Sequence, residues 1–425
     1  MTVASIIMIV SLLVLMILGF PIAVSLGLSS ILALLVDGKI SLIAFPQRLF
    51  VGIDSFPLLA VIFFLIAGEL MLQGGISKRL VNLASCFLSG IRGSLALISF
   101  VTCAFFGALS GSALATTAAI GNVMYPEMLK DGSYDKKFAL SIQSVGGTLG
   151  TMIPPSTPLI LYGILTSASI GNLFLGTIIP GILMCLLYCG VGYIIIRKRG
   201  MATNMRKFEK GILFALKDGI WALLTPVIIL GGIYTGIFSP TESAAVACLY
   251  ALIIGLFVYK ELNIKTLYKA MYNATLGSVS IMFLIAAAQV FGWVLTVQGL
   301  PQALTSYLVS VIQNKYTFLL LVNLIFIIAG MFMDVGTIIL LVIPLLFPTA
   351  IQLGINPVHF GVIATINLSL GNVTPPFGTC LFVAAGIDKS VKLEAIYKEV
   401  IPFCLIGIVG ILITTFVPFI STWMI

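Results

Sequence analysis

The chain has 425 residues, of which 60% are hydrophobic and only 8% charged, against about 25% charged in an average soluble domain. A water-soluble fold of this length could not cover so much apolar surface, so the bilayer is the expected solvent. The net charge of +8 comes from short basic clusters between apolar segments, a pattern of cytoplasmic membrane loops that excludes a nucleic-acid surface.

The first apolar stretch lacks a basic leader and runs past Gly19-Phe20-Pro21 to Val36, so a cleaved signal peptide is not expected. It reads as segments at 2–18 and 21–36, or as one tilted helix broken at Pro21. A third segment follows at 50–73, completing scaffold helices over 2–73. Next come a surface-lying arm helix at 76–91, a re-entrant hairpin at 94–125, a broken helix at 138–167 and a closing helix at 172–197. A basic cytoplasmic loop occupies 201–218. The second series has scaffold helices over 219–298 (219–237, 241–259 and 277–298) and an arm helix at 300–313. A hairpin at 316–351, a broken helix at 357–386 and a closing helix at 401–422 complete it.

The two series are related. Leu149 to Pro155 reads LGTMIPP and Leu370 to Pro376 reads LGNVTPP, 221 residues apart, with Phe138 matching Phe360, Pro180 matching Pro402 and Gly107 matching Gly330. This is the mark of duplication. Seven basic residues between Arg197 and Lys217 place that loop in the cytoplasm, as do Lys260, Lys265 and Lys269, and Lys389, Lys392 and Lys398. Lys78, Arg79, Arg92, Lys130, Lys136 and Lys137 put the edges of the first central region on the same side, whereas the equivalent edges of the second carry only Lys315. The expected fold is therefore an all-α polytopic membrane protein of two inverted repeats, 1–200 and 219–425. Five crossings per half put both termini in the periplasm.

Gly146 to Thr151 followed by Pro154-Pro155, and Gly371 to Gly378 around Pro375-Pro376, predict interruptions, since each proline removes a donor and clashes with the preceding turn. Freed backbone groups at membrane depth cost several kcal/mol unless protein, water or an ion satisfies them. Phe106 to Gly121, rich in small and hydroxyl residues, and Gly330 to Thr337 supply a hairpin tip opposite each break. Asp334 would be a charge at membrane depth, a position usually functional. Inverted-repeat transporters build midplane sites from such pairs, with half-helix C-termini attracting cations and N-termini anions.

With Gly68-Glu69-Leu70, Gly74-Gly75-Ile76, Ser239 to Ala245, Pro357 to Gly361 and Thr374-Pro375-Pro376, nearly the whole chain resembles the large membrane subunit of tripartite ATP-independent periplasmic (TRAP) transporters. The resemblance implies an elevator-type, sodium-coupled importer working with a small four-helix membrane subunit and a soluble periplasmic substrate-binding protein. Its solute would be a small carboxylate, with sialic acid favoured over C4-dicarboxylates and other organic acids. It implies one sodium site joining Ser110 and Ser112 to carbonyls around Gly150, Ile153 and Pro155. A second would join Asp334 and Gly336 to Gly371, Thr374 and Pro376. Ser112, Thr116, Thr157, Thr337 and Asn372 are the candidate solute contacts. A stand-alone divalent-anion symporter without a binding protein is the alternative.

Other motifs carry less. Glu242 after Ser239-Pro240-Thr241 reads as a helix-start carboxylate, Glu69 as a packing or snorkelling residue, and His359 as a loop residue. Seven scattered cysteines form no CxxC motif. Ser110-Gly111 superficially resembles a membrane serine nucleophile but has no evident histidine base. There is no metal-ligand cluster and no phosphate-cradling loop, so neither an organic cofactor nor enzyme activity is expected.

Overall fold

The computed structural model describes residues 2–88, 90–91, 93–201, 212–312 and 314–424. Arg92 and most of the basic loop 201–218 lie outside them. Among the described residues the regular structure is entirely helical. The first half contains α1 (Val3–Ile17), α2 (Ile22–Asp37), α3 (Ala44–Ile53), α4 (Leu58–Gln73), α5 (Ile76–Leu88), α6 (Ser94–Ser110), α7 (Ala113–Lys130), α8 (Lys136–Met152), α9 (Thr157–Thr166) and α10 (Ile170–Arg199). The second contains α11 (Ile212–Tyr234), α12 (Pro240–Ile253, prolonged by a π-helical turn Ile254–Val258), α13 (Ile264–Val297), α14 (Leu300–Val311) and α15 (Lys315–Phe332). It ends with α16 (Val335–Gln352), α17 (Pro357–Gly371), α18 (Thr379–Ile387), α19 (Leu393–Phe416) and α20 (Phe419–Thr422). Seven helices are long and apolar enough to cross a bilayer among the described residues, or eight counting α3 and α4 as one bent span.

Two helices form the centre. Phe138 to Met152 of α8 and Val358 to Gly371 of α17 are buried without interruption, so both are enclosed by protein on every side. Their starts are fixed locally: the Asp135 carboxylate accepts from Phe138 N at 2.7 Å, and Asn356 Oδ1 accepts from Val358 N at 2.8 Å, with Pro357 in the first helical position. Around them pack α6, α7, α10, α15, α18 and α19. The centres meet where the hydroxyls of Thr151 and Ser369 share a 2.7 Å hydrogen bond. Outside, α2, α3 and α4 pack on the 34-residue α13, which at about 1.5 Å per residue far exceeds a ~30 Å hydrocarbon core. Tyr268, Tyr272, Leu276, Val279 and Phe283 lie exposed along it.

Several expectations change. α1 and α2 pack against each other, which rules out one long tilted helix; at 15 and 16 residues each rises only about 22–24 Å. The segment at 50–73 is not one helix, because α3 and α4 meet at 56°, where Pro57 precedes α4. The segment at 277–298 is the end of a helix that starts at Ile264. Gly146 to Thr151 does not interrupt α8, which runs to Met152. His359 is not a loop residue: it lies on the first turn of α17, 3% exposed, with Nδ1 2.6 Å from Ser421 Oγ. Arg79, besides marking the cytoplasmic edge, is tied into the fold. Its guanidinium pairs with Asp218 at 3.3 Å and Glu261 at 2.6 Å, and lies 3.6 Å from the centre of the Tyr259 ring. Glu242 does start α12, in a capping box with Ser239.

Candidate functional site

Each half places a hairpin tip against a helix break, and glycine makes the approach close enough. In the first half Gly107 of α6 lies on α8: a Cβ on Gly107 would fall 2.7 Å from Gly150 Cα. In the second, a Cβ on Gly371 would fall 2.5 Å from Gly330 Cα. Backbone-to-backbone contact of this kind explains the small residues of α8, which serve helix packing rather than an interruption of the helix.

The first tip is a knot of oxygen atoms. Gly111, at φ +60°, turns the chain between α6 and α7, a conformation that suits a residue without a Cβ. Ser110 Oγ lies 3.0 Å from Thr116 Oγ1, which donates to Ser112 O at 2.8 Å. A Cβ on Gly150 would lie 2.5 Å from Ser112 O, and one on Gly111 would lie 2.9 Å from Pro155 O. Ser110, Ser112, Thr116, Gly150 and Pro155 are thus brought together. Ile153 borders them, but its side chain turns to Gly181 of α10. The break itself, Ile153 to Ser156, is closed. Ser156 Oγ donates to Thr151 O at 2.7 Å, and Thr157 N at the start of α9 donates to Gly111 O at 3.3 Å.

The second tip is built differently. Asp334 is the N-cap of α16, accepting from Gly336 N at 3.0 Å, and the aromatic rings of Phe332 and Phe377 meet at 5.5 Å between centroids. No hydrogen bond joins Asp334 or Gly336 to 371–376 among the described residues. Instead Thr374 Oγ1 donates to Leu370 O at 2.8 Å, Pro376 O accepts from the Tyr397 hydroxyl at 2.5 Å, and Asn372 O accepts from Cys380 N at 2.9 Å. Pro376 and Phe377 are exposed, whereas Pro154 to Thr157 are buried. Gly336 also faces the first half, 3.3 Å separating a Cβ there from Leu161 of α9.

Three buried polar groups at these breaks have no partner among the described residues: Thr157 Oγ1, Thr379 Oγ1 and both amide atoms of Asn372. Asn372 is 0% exposed. Leaving such a group unsatisfied costs about 1–3 kcal/mol. Thr337, buried on the first turn of α16, also makes no side-chain hydrogen bond among the described residues. Thr379 escaped the sequence reading. The signal was present, since it stands 222 residues after Thr157, within the offsets of the repeat.

The model of the family described as "Tripartite ATP-independent periplasmic transporter, DctM component" matches residues 9–420. The chain belongs to this family. The C4-dicarboxylate TRAP transporter large permease protein DctM of Vibrio cholerae is 39% identical over 96% of this chain and 94% of its own length. The sialic acid TRAP transporter large permease protein SiaM of the same organism is 36% identical over 90% of each. The isethionate TRAP transporter permease protein DctMQ of Oleidesulfovibrio alaskensis is 40% identical over 95% of this chain, but this chain spans only 63% of that relative. Among solved structures, the Alcanivorax borkumensis YdaH transporter, whose topology is described as unusual, superposes with a TM-score of 0.63 over 87% of both chains at 18% identity. That likeness shows the fold alone. The chain is a TRAP large permease component, a multi-pass inner-membrane protein whose family transports solutes and is not enzymatic.

Proposed function

We propose that this TRAP permease is the solute-translocating subunit of a sodium-coupled importer of small organic anions, acting with a small membrane subunit and a soluble periplasmic binding protein. The observation that carries this reading is the set of buried, unpartnered polar groups at the two breaks, Thr157, Asn372 and Thr379. Thr157 and Thr379 stand at the starts of α9 and α18 and Asn372 at the end of α17, and neutral donors there suit a carboxylate or sulfonate without burying a fixed countercharge. The solutes named for the relatives, C4-dicarboxylate, sialic acid and isethionate, all belong to that class. Sialic acid is the favoured carboxylate from the sequence.

Sodium is a hard cation that takes oxygen ligands, and the first tip offers Ser110 Oγ, Thr116 Oγ1, Ser112 O and Pro155 O within one knot. The second site would use Asp334, Gly336, Gly371, Thr374 and Pro376; in this conformation Asp334 and Thr374 bond within their own elements and Pro376 O accepts from Tyr397 of α19. Rearrangement of the tip against the break would release them. Translocation would be elevator-like, the two inverted repeats contributing one compact unit of hairpins and broken helices that slides along α1 to α4 and α11 to α13. Arg79 pins the arm α5 to that frame, so the pivot lies beyond it, near Gly90 and Gly93, both at positive φ.

The test is uptake by vesicles containing the purified membrane subunits, with sialic acid, a C4-dicarboxylate or isethionate as solute. Uptake should need sodium and the cognate binding protein, and Thr374→Val should weaken the sodium dependence. Unchanged uptake with choline in place of sodium would refute the coupling. Rapid uptake without the binding protein would make the chain a stand-alone symporter.

A further inference from the structure

Away from the breaks, a cavity of about 400 Å³ lies between the end of α4, the start of α5, the middle of α7 and Glu261. Its walls carry opposite charges. On one side stand Ser77 and Lys78, on the first turn of α5, where unpaired backbone amides favour an anion. Ser77 is 5% exposed, and its hydroxyl has no hydrogen-bond partner among the described residues; Lys78 is exposed and makes no ion pair among them. Glu261 also lines the cavity, its carboxylate lying over Gly75 just before α5. Its Oε1 accepts from Arg79 Nη1 at 2.6 Å, while Oε2 makes no hydrogen bond among the described residues. Gln73 adds a neutral amide, and Leu72 and Val123 supply an apolar border.

A simple anion would satisfy Lys78 and Ser77 but would sit beside the Glu261 carboxylate. A simple cation would meet Lys78. A ligand carrying a phosphate and a primary ammonium a few bonds apart satisfies both walls, with donors to the phosphate and Glu261 Oε2 to the ammonium. The basic residues at the start of α5 put the cavity at the membrane interface, within reach of headgroups. We propose that this cavity is a headgroup site for a phospholipid of the phosphatidylethanolamine class, phosphate toward Ser77 and Lys78 and ammonium toward Glu261. The bound lipid would bridge the arm to α7 of the first hairpin.

The test uses the full-length chain, delipidated in detergent, with thermal stability read by intrinsic fluorescence as defined lipids are added. Phosphatidylethanolamine should stabilise it at concentrations at least about tenfold below those needed of phosphatidylcholine, whose methylated amine cannot donate to Glu261, or of phosphatidylglycerol, which lacks the amine. Lys78→Gln should remove about tenfold of that preference, the loss of one charge-assisted contact. Ser77→Ala, which changes almost no volume, should shift it in the same direction by less. Native mass spectrometry should find phosphatidylethanolamine retained by the parent chain and depleted from Lys78→Gln. Equal stabilisation by the three lipids, or preference unchanged in both variants, would overturn the proposal. So would full stabilisation by soluble phosphoethanolamine or inorganic phosphate with no added gain from the lipid, which would make this a small-anion site.

Discussion

The two breaks share a sequence pattern and differ in what encloses them. The first is sealed: the Thr157 amide is bonded to Gly111 O, Ser156 caps the freed Thr151 carbonyl, and Pro154 to Thr157 are buried. The second meets its tip through an aromatic pair, its turn is held by its own hydrogen bonds and by the Tyr397 hydroxyl of α19 on Pro376 O, and Pro376 and Phe377 are exposed. Similar local sequence therefore sits in two environments within one conformation. Backbone ties resist opening, whereas a ring contact worth about 0.5–1.5 kcal/mol beyond its area can be broken and remade at little cost.

The sharpest test of this difference is chemical access. On a cysteine-free background, Phe377→Cys should react with a membrane-impermeant maleimide on the order of a hundredfold faster than Ser156→Cys, reflecting a surface position against one coupled to a protected interior. Similar rates would mean that the breaks are equally enclosed. Next in size is Asn372→Leu. Removing a buried amide without partners relieves about 1–3 kcal/mol of desolvation, so thermal stability should hold or rise while solute uptake falls at least tenfold; parallel loss of both would make Asn372 structural. Overpacking should then separate the halves. Gly150→Ala and Gly371→Ala each push a methyl into backbone and should cost about 1–3 kcal/mol. Only Gly150→Ala also crowds Ser112 O, and it alone should weaken sodium-induced stabilisation at the first site.

The smallest effect concerns pH. Asp388, in the loop after α18, is held well below the usual carboxylate range by hydrogen bonds from Ser390, Tyr125 and Lys136. A depressed carboxylate adds stability above its unfolded value of 3.8, and loses it as pH falls toward the folded value. The melting-temperature gap between the parent and Asp388→Asn should stay constant from pH 8 to 5 and narrow below about pH 4. A gap that widens on acidification would contradict the assignment.

Much of this was legible from residues. Proline pairs and glycine-hydroxyl runs located the breaks and tips because backbone chemistry is local. The same locality picked out Asn372 and Thr157. It misled over Gly146 to Thr151, where propensity pointed to an interruption while contact with α6 and α7 keeps the helix intact. The Arg79 cluster was illegible because its partners lie 139 and 182 residues away, beyond any periodic signal. His359 was misplaced because its cover, Ser421, comes from the far end of the chain.

The burial of α8 has a consequence for biogenesis. This helix carries Ser141, Gln143, Ser144, Thr148 and Thr151, and its neighbours include α17, α18 and α19. Ser369, which receives Thr151, emerges from the ribosome 218 residues later. At about 5–20 residues per second, that is a wait of on the order of ten to forty seconds. Through that interval the nascent first half must keep a polar helix shielded from lipid without the elements that will enclose it, a task for the insertion machinery or for provisional contacts with α6 and α7.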